Sequence, residues 1–113
     1  MNLETLVNSL GLRCKCCWEK LKSTEVTGGY AGDLLSDVMA NSSAGNIWVT
    51  RQVHQNIVAV ASLKDLAGII IVQKGSPEKD TIEKAREEGI PVMVSELPMF
   101  EVVGKIYQLI HQG

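Results

Sequence analysis

The chain has few aromatic residues and few cysteines. Its 113 residues include one Phe, two Tyr, two Trp and three Cys. The core must therefore rest on Leu, Ile, Val, Ala and Met, and three cysteines are too few for a disulfide-stapled scaffold. Hydrophobic residues make up 45% of the chain and charged residues 21%, as in ordinary globular proteins. The length fits one domain, which we take as residues 1–113.

The chain also lacks a concentration of positive charge and a long apolar segment. Its formal net charge is -2, with 11 Lys and Arg scattered among 13 Asp and Glu. Because nucleic-acid-binding proteins usually carry a basic face, we expect no nucleic-acid partner. The most apolar stretch, residues 57–72, is interrupted by Lys64 and Asp65, so we expect no membrane span. The first residues do not resemble a secretory signal, and we therefore expect a cytoplasmic protein.

The cysteines stand close together, at Cys14, Cys16 and Cys17. Thiolates are good ligands for zinc and iron–sulfur clusters, so a metal-binding or redox accessory protein is one alternative. A closed zinc site needs four ligands, however, and the chain has no second cysteine pair. We expect ordinary strand residues in a reducing compartment, with no bound metal or cofactor. On a regular strand, Cys14 and Cys16 share one face and Cys17 points away.

The spacing of apolar residues predicts two helices and two extended segments before residue 45. Residues 3–10 form an amphipathic helix behind an Asn2 cap. Residues 12–17 are predicted as a strand and residues 24–27 as an extended segment. Asp33 is well placed to cap the second helix. We expect the first helix and the two early strands to pack on one edge of a sheet.

From residue 47 onward, strands and helices alternate. Strands are predicted at residues 47–50, 69–72 and 91–94, and helices at residues 56–63, 76–89 and from Pro98 onward. Residues 56–63 also fit a strand by propensity, but their length and helical spacing favour a helix. Ser76, followed by Pro77, is the expected cap of the next helix. The last helix should place one apolar stripe inward, formed by Phe100, Val103, Tyr107 and Ile110.

This alternation predicts a small, three-layer-like α/β domain with a mainly parallel sheet and right-handed crossovers. In such sheets, ligands bind at the carboxyl ends of the parallel strands. The loops at residues 50–56, 73–76 and 95–97 should meet there. Their neutral hydrogen-bonding groups suit recognition better than catalysis, and include Thr50, His54, Asn56 and Ser95.

His54 is the only group in these loops that titrates near neutral pH. A lone histidine before an apolar helix is more often a cap than a general base, and no Ser or Cys beside it in sequence marks a nucleophile. The chain also lacks the two glycine-rich phosphate-binding motifs and the His-Glu-x-x-His and Gly-x-Ser-x-Gly motifs. We therefore expect no catalytic residues and no enzymatic activity.

The segment Thr27-Gly28-Gly29 is the most distinctive local feature. Two glycines after an extended run allow backbone N–H groups to converge on an anion. A tight turn between a strand and a helix is the alternative. The sequence leaves both interpretations open.

Residues 25–40 resemble the DRTGG domain family. The similarity continues at residues 54–61, 68–72 and 89–95, and so covers nearly the whole chain. Carried across, the five signature positions are Glu25, Val26, Thr27, Gly28 and Gly29. Glu replaces Asp and Val replaces Arg at the first two of these positions. Without the Arg, the loop has no bidentate anion clamp, which argues against phosphate binding there.

The resemblance implies an α/β fold similar to the N-terminal domain of HPr kinase/phosphorylase. Members of this family occur beside CBS domains in regulated pyrophosphatases, beside phosphotransacetylase domains, and as stand-alone proteins. They resemble regulatory or dimerising units. Kinase activity is not implied, because the similarity stops at the N-terminal domain of that enzyme.

Three hypotheses follow. The first is a non-catalytic regulatory or interaction module that forms a homodimer and binds a partner enzyme or a small ligand. The second is a sensor of nucleotides or phosphorylated metabolites with its pocket at the strand ends, and the third is the cysteine-cluster accessory protein. The candidate ligand-binding residues are Thr27, Gly28, Gly29, Thr50, His54, Asn56 and Ser95.

Overall fold

Helices and strands alternate along the chain. A computed structural model describes residues 1–111, within which there are five α-helices and five strands. A short 3-10 helix, Trp18–Lys20, follows the first strand. In chain order the elements are α1 (Leu3–Leu10), β1 (Arg13–Cys16), β2 (Gly28–Ala31), α2 (Leu35–Asn41), β3 (Asn46–Thr50), α3 (Asn56–Leu63), β4 (Gly68–Ile71), α4 (Lys79–Glu88), β5 (Val92–Val94) and α5 (Met99–Ile110).

The strands form one sheet in the order β1-β5-β4-β3-β2. Strands β2 to β5 are parallel to one another, and β1 pairs antiparallel with β5. The predicted α/β class and the mainly parallel sheet are therefore confirmed. The prediction that the first helix and two early strands pack on one edge is wrong. Strand β1 lies at one edge, and the strand at the opposite edge, β2, begins at Gly28, after the predicted extended segment 24–27. The segment between them runs beside α1, where the N–H of Val26 donates to the carbonyl of Met1 at 2.6 Å, and so reaches the far edge.

Helices cover both faces of the sheet and give three layers. One apolar core lies between the sheet and α1 and α5, and a second lies between the sheet and α2, α3 and α4. Ile70 belongs to the first core, whereas Ile69 and Ile71 belong to the second. All three side chains are 0% exposed. Burial on both faces explains why this strand is a continuous apolar run, with each side chain contributing roughly 1.5–3 kcal/mol.

Two helices begin and end where local signals predict. The Asn2 side chain accepts the N–H of Glu4 at 2.7 Å, and Gly11 ends α1 with a φ of 64°. The φ of Gly11 lies in the left-handed region, which glycine adopts without strain. Helix α3 occupies residues 56–63 and not the strand that propensity also allowed. It buries Ile57, Val58, Val60 and Ala61 in the second core.

The predicted start of α4 at Ser76 is wrong. The helix begins at Lys79, and Glu78 before it has an extended backbone. The N–H of Glu78 donates to the carbonyl of Val53 at 3.2 Å, and the Thr81 hydroxyl donates to the same carbonyl at 2.6 Å. These tertiary hydrogen bonds hold Glu78 and Thr81 against the loop after β3, and the helix begins between them instead of at the Ser-Pro signal.

The predicted apolar stripe of α5 is also partly wrong. Val102 and Ile106 are the buried residues, whereas Phe100 is 89% exposed and Tyr107 is 65% exposed. Val103 and Ile110 are partly buried against the first core. The inward face is therefore rotated by about one residue relative to the prediction. This rotation leaves aromatic side chains at the surface.

Candidate functional site

The loops after β3, β4 and β5 meet at the carboxyl edge of the sheet. The N–H of Val72 donates to the carbonyl of Thr50 at 3.0 Å. The N–H groups of Gln73 and Lys74 donate to the carbonyls of Leu97 and Ser95 at 3.0 and 3.3 Å. These hydrogen bonds join the three loops into one surface, in the position where open α/β sheets bind ligands.

A cavity of about 340 Å³ opens beside the ends of β4 and β5. We call it the strand-end cavity. Strand β1 contributes to its wall because it runs antiparallel to β5, with Arg13 opposite Val94. The wall residues come from four segments: Leu10, Gly11, Arg13, Lys15, Lys74, Gly75, Ser76, Pro77, Val94, Ser95, Glu96 and Leu97.

Of the residues predicted from the sequence to bind a ligand, Ser95 lines this cavity. Its Oγ accepts the N–H of Leu97 at 3.2 Å. A hydroxyl that accepts one hydrogen bond still has its own proton to donate. Ser95 is 9% exposed and lines the cavity, so its hydroxyl can donate to a ligand there.

Thr50 lies deeper than a ligand contact requires. It is 0% exposed, and its hydroxyl donates to Oδ1 of Asp33 at 2.7 Å. The same carboxylate oxygen accepts the N–H of Arg51 at 2.7 Å. Asp33 therefore does not cap α2 as predicted. It joins the end of β2 to the end of β3, and α2 begins at Leu35 without a side-chain cap.

His54 and Asn56 lie on the exposed loop before α3. The Nδ1 atom of His54 accepts the N–H of Asn56 at 3.2 Å, so the imidazole supports the first turn of the helix. This bond matches the capping interpretation of the lone histidine. Neither residue belongs to the wall of the strand-end cavity.

Thr27, Gly28 and Gly29 lie at the other end of the sheet. Gly28 pairs with Asn46 and Gly29 with Ile47, at the amino end of β3. Both glycines are inside a regular strand, and neither is among the described residues with positive φ. Of the two interpretations that the sequence left open for these glycines, the tight turn is therefore wrong. The Thr27 hydroxyl donates to the carbonyl of Ala44 at 3.3 Å.

Strand β2 borders a second, apolar depression, which we call the edge groove. Its volume is about 170 Å³, and it lies between β2 and α5. A Cβ atom built on Gly29 would lie 4.0 Å from Cγ2 of Ile106, so the helix packs close to the strand there. The groove is lined by Gly28, Gly29, Tyr30, Ala31, Ile47, Val49, Val103, Ile106, Tyr107, Ile110 and His111.

The cysteines are divided between the two cores, and the predicted shared face of Cys14 and Cys16 is wrong. The register of β1 shifts between these two residues, as in a β-bulge. Cys14 therefore packs toward the α1 and α5 core, whereas Cys16 and Cys17 are buried in the opposite core. Each thiol donates to a main-chain carbonyl: Cys14 to that of Cys16, Cys16 to that of Ile90, and Cys17 to that of Ala85.

Burial also makes these thiols poor nucleophiles. Desolvation raises the pKa of Cys14 and Cys16 above the usual value and raises the pKa of Cys17 to about 12. The thiolate is the form that reacts and binds metal, and a raised pKa disfavours it at neutral pH. Within residues 1–111, no three His, Cys, Asp or Glu side chains are arranged to hold a metal ion.

The cationic residues of the strand-end cavity were not predicted from the sequence. Arg13 and Lys15 are on β1, and Lys74 is on the loop after β4. About sixty residues separate these two segments in the chain. The antiparallel pairing of β1 with β5 brings them together, and no local pattern indicates that pairing. The one signal in the sequence was that Arg13 and Lys15 occupy alternate positions on a predicted strand.

None of the helices that the structure describes is long and apolar enough to cross a membrane.

Comparison with known proteins gives a structural match. No family model matches the chain, and a search of curated proteins finds no match to its sequence. A solved structure with a TM-score of 0.68 and 16% sequence identity contains the CBS and DRTGG domains of the regulatory region of Clostridium perfringens pyrophosphatase, complexed with the activator diadenosine tetraphosphate. The match covers 93% of this chain and 45% of that one. At this identity, the likeness establishes the fold.

Proposed function

We propose that this chain is a non-catalytic regulatory module of the DRTGG type that recognises a small ligand in the strand-end cavity. The observation that carries this proposal is the cavity itself, about 340 Å³ at the carboxyl ends of parallel strands. Small-molecule sites have volumes of roughly 300–1,000 Å³ and prefer this position in α/β sheets.

The chemistry of the reactive residue types supports binding over catalysis. The imidazole of His54 accepts a helix N–H, and the three thiols donate to main-chain carbonyls. These groups are spread over the loop before α3 and the two cores, so they do not form a nucleophile and base pair. The wall of the cavity presents hydroxyl, amine, guanidinium and carboxylate groups beside aliphatic side chains.

Two likenesses favour a regulatory role. The sequence resembles the DRTGG family at residues 25–40 and beyond. The solved structure of similar fold is the regulatory region of an enzyme and contains a bound activator. By analogy, ligand binding to this chain would act on a partner enzyme, present either on another chain or on the same one.

A thermal-shift panel on the full chain tests the proposal. The panel includes nucleosides, nucleotides, acyl phosphates, sugars, amino acids and dicarboxylates. A ligand at about 100 times its dissociation constant adds about 2.7 kcal/mol of stability. For a domain of this size, that is a rise in Tm of roughly 10 °C. If no class of compound raises the Tm, the chain is not a small-molecule module.

A second candidate function is self-association through the β2 edge. The outer backbone groups of β2 pair with no other strand among residues 1–111. The residues that line the adjacent edge groove include no Lys, Arg, Asp or Glu, and Phe100 and Tyr107 are exposed on α5. A second copy related by a two-fold axis would pair β2 with β2 without opposing like charges.

Sedimentation equilibrium with a charge variant tests this candidate. Ala31→Lys places a cation at the exposed end of β2, beside the groove, and should convert a dimer to a monomer. Ala40→Lys adds the same charge to the exposed surface of α2 and should leave the dimer intact. A wild-type chain that is monomeric at about 100 µM, where even weak dimers with Kd near that value form, contradicts the candidate.

A further inference from the structure

The charges of the strand-end cavity differ in sign from those of the chain as a whole. The chain carries more acidic than basic residues, with a formal net charge of -2. The cavity wall carries three cations, Arg13, Lys15 and Lys74, against the single carboxylate of Glu96. More than a quarter of the Lys and Arg residues of the protein therefore line one opening (3 of 11).

These three cations have no carboxylate partner among residues 1–111. The ion pairs in this part of the chain join the N-terminal amine to Glu25 and Lys84 to Glu87 and Glu88. The cations are thus free to interact with a ligand. Cations that converge on a concave surface raise the local positive potential and attract anions.

The backbone holds one of these cations at a defined place. Gln73 and Lys74 have left-handed φ angles of 57° and 60°, and their N–H groups are tied to the loop after β5. At Gly75, an added Cβ would lie 2.7 Å from Cγ2 of Ile71 and 3.1 Å from the carbonyl oxygen of Val72. Consecutive left-handed residues store strain, which is common at ligand-binding loops. The tight turn fixes the direction from which Lys74 enters the cavity wall.

We infer that the strand-end cavity is an anion site that binds the phosphate or polyphosphate group of a small ligand. The inference rests on the proposed function and adds the chemistry of the ligand. Arg13 offers a planar fork for two phosphate oxygens, and Lys15 and Lys74 offer point charges. The Ser95 hydroxyl contributes a neutral donor, because its oxygen already accepts the N–H of Leu97. The aliphatic residues Leu10, Val94 and Leu97 surround the uncharged part of the ligand.

The test measures binding of tripolyphosphate, ATP and adenosine to the full chain by calorimetry and by amide chemical shifts. We expect tripolyphosphate and ATP to bind and adenosine alone not to bind. Amide shifts should map to the loops at residues 73–77 and 94–97. Affinity should fall as salt rises, because the cations are solvent-accessible.

Charge-removing variants locate the site. Arg13→Gln and Lys74→Asn should each lower the affinity about tenfold, which corresponds to about 1.4 kcal/mol. Asn tolerates the left-handed backbone at position 74. The matched control is Lys64→Asn, at the amino end of the sheet after α3, which should not change the affinity. Far-UV circular dichroism checks that each variant is folded.

The outcomes separate this inference from the proposed function. The anion site is overturned if Arg13→Gln and Lys74→Asn leave polyphosphate binding unchanged. It is also overturned if the amide chemical-shift changes map outside the cavity. If an uncharged compound from the panel binds in the cavity and phosphorylated compounds do not, the inference fails and the proposed function stands. If no compound of any class binds, both fail.

Discussion

The two edges of the sheet differ in charge, regularity and strand direction. Strand β1 carries Arg13 and Lys15, has a register shift after Cys14, and pairs antiparallel with its neighbour. Strand β2 has the uncharged sequence Gly-Gly-Tyr-Ala and pairs with β3 in a regular parallel register. Charged side chains and bulges protect an edge from pairing with another chain. Strand β1 is therefore an edge protected by charge and by an irregular register, whereas β2 has neither form of protection.

The largest expected effect lies on the β1 side of the sheet, in the loop after β4. Gly75→Ala should lower the free energy of unfolding by about 1–3 kcal/mol, because its Cβ would clash with Ile71 and the Val72 carbonyl. It should also weaken polyphosphate binding by displacing Lys74. Urea denaturation measures the first effect and calorimetry the second.

A glycine beside the edge groove provides the control for this prediction. Gly104 is exposed in the middle of α5, and an added Cβ would meet nothing within 4 Å. Gly104→Ala should therefore stabilise the protein, by up to about 1 kcal/mol, through helix propensity. Equal effects of the two substitutions would show that the loop after β4 is not tightly packed.

The next effect concerns the attachment of the β2 edge. Thr50→Val keeps the side-chain shape but removes two hydrogen bonds: the one that its hydroxyl donates to Asp33, which follows β2, and the one that it accepts from the N–H of Gln52. Because the lost hydroxyl donor is buried and its acceptor is a carboxylate, we expect the free energy of unfolding to fall by about 1.5 kcal/mol. Urea denaturation measures this change. Hydrogen exchange of the β2 amides should also accelerate.

Thr27→Val is the matched control for that variant. Thr27 is exposed, and its hydroxyl makes a longer hydrogen bond of 3.3 Å to Ala44. We expect the free energy of unfolding to change by no more than about 0.5 kcal/mol. If the two valine variants lose the same stability, the Asp33 link does not hold the β2 edge.

A pH-dependent effect should come from Cys17, the residue after β1. Burial raises the pKa of Cys17 to about 12 from an ordinary value of 9.0, so the folded protein favours the neutral thiol. This stabilisation is complete below pH 9 and declines as pH rises toward 12, where the unfolded chain ionises first. Denaturation between pH 8 and 11 should show the decline, and Cys17→Ala should reduce its slope. An unchanged slope contradicts the assignment to Cys17.

The smallest effect is expected at the β2 edge itself. The hydroxyl of Tyr30 donates to the Asp37 carboxylate, and this hydrogen bond raises the pKa of the phenol. Asp37→Ala should lower the pKa of Tyr30 toward its ordinary value in a spectrophotometric titration. Ser36→Ala, an exposed neighbour, is the control and should leave the titration unchanged. A pKa that stays raised in Asp37→Ala would mean that another group perturbs the phenol.

The sequence by itself predicted the elements whose signals are local. Asn2 and Gly11 delimit α1 because a cap and a left-handed stop act within one helical turn. The run Ile69-Ile70-Ile71-Val72 indicated a strand buried on both faces, since four-residue apolar runs suit the centre of a parallel sheet. The alternation of strands and helices then led to the α/β class and to the carboxyl edge as the place for a site.

Only the tertiary structure decided which residues meet at that edge. Non-local pairing placed β1 beside β5, and so brought Arg13 and Lys15 to the same cavity as Lys74. A one-residue bulge sent Cys14 and Cys16 to opposite cores, and hydrogen bonds to Val53 moved the start of α4. Such outcomes depend on contacts between distant segments, whose free energies exceed the local preferences that a sequence pattern records.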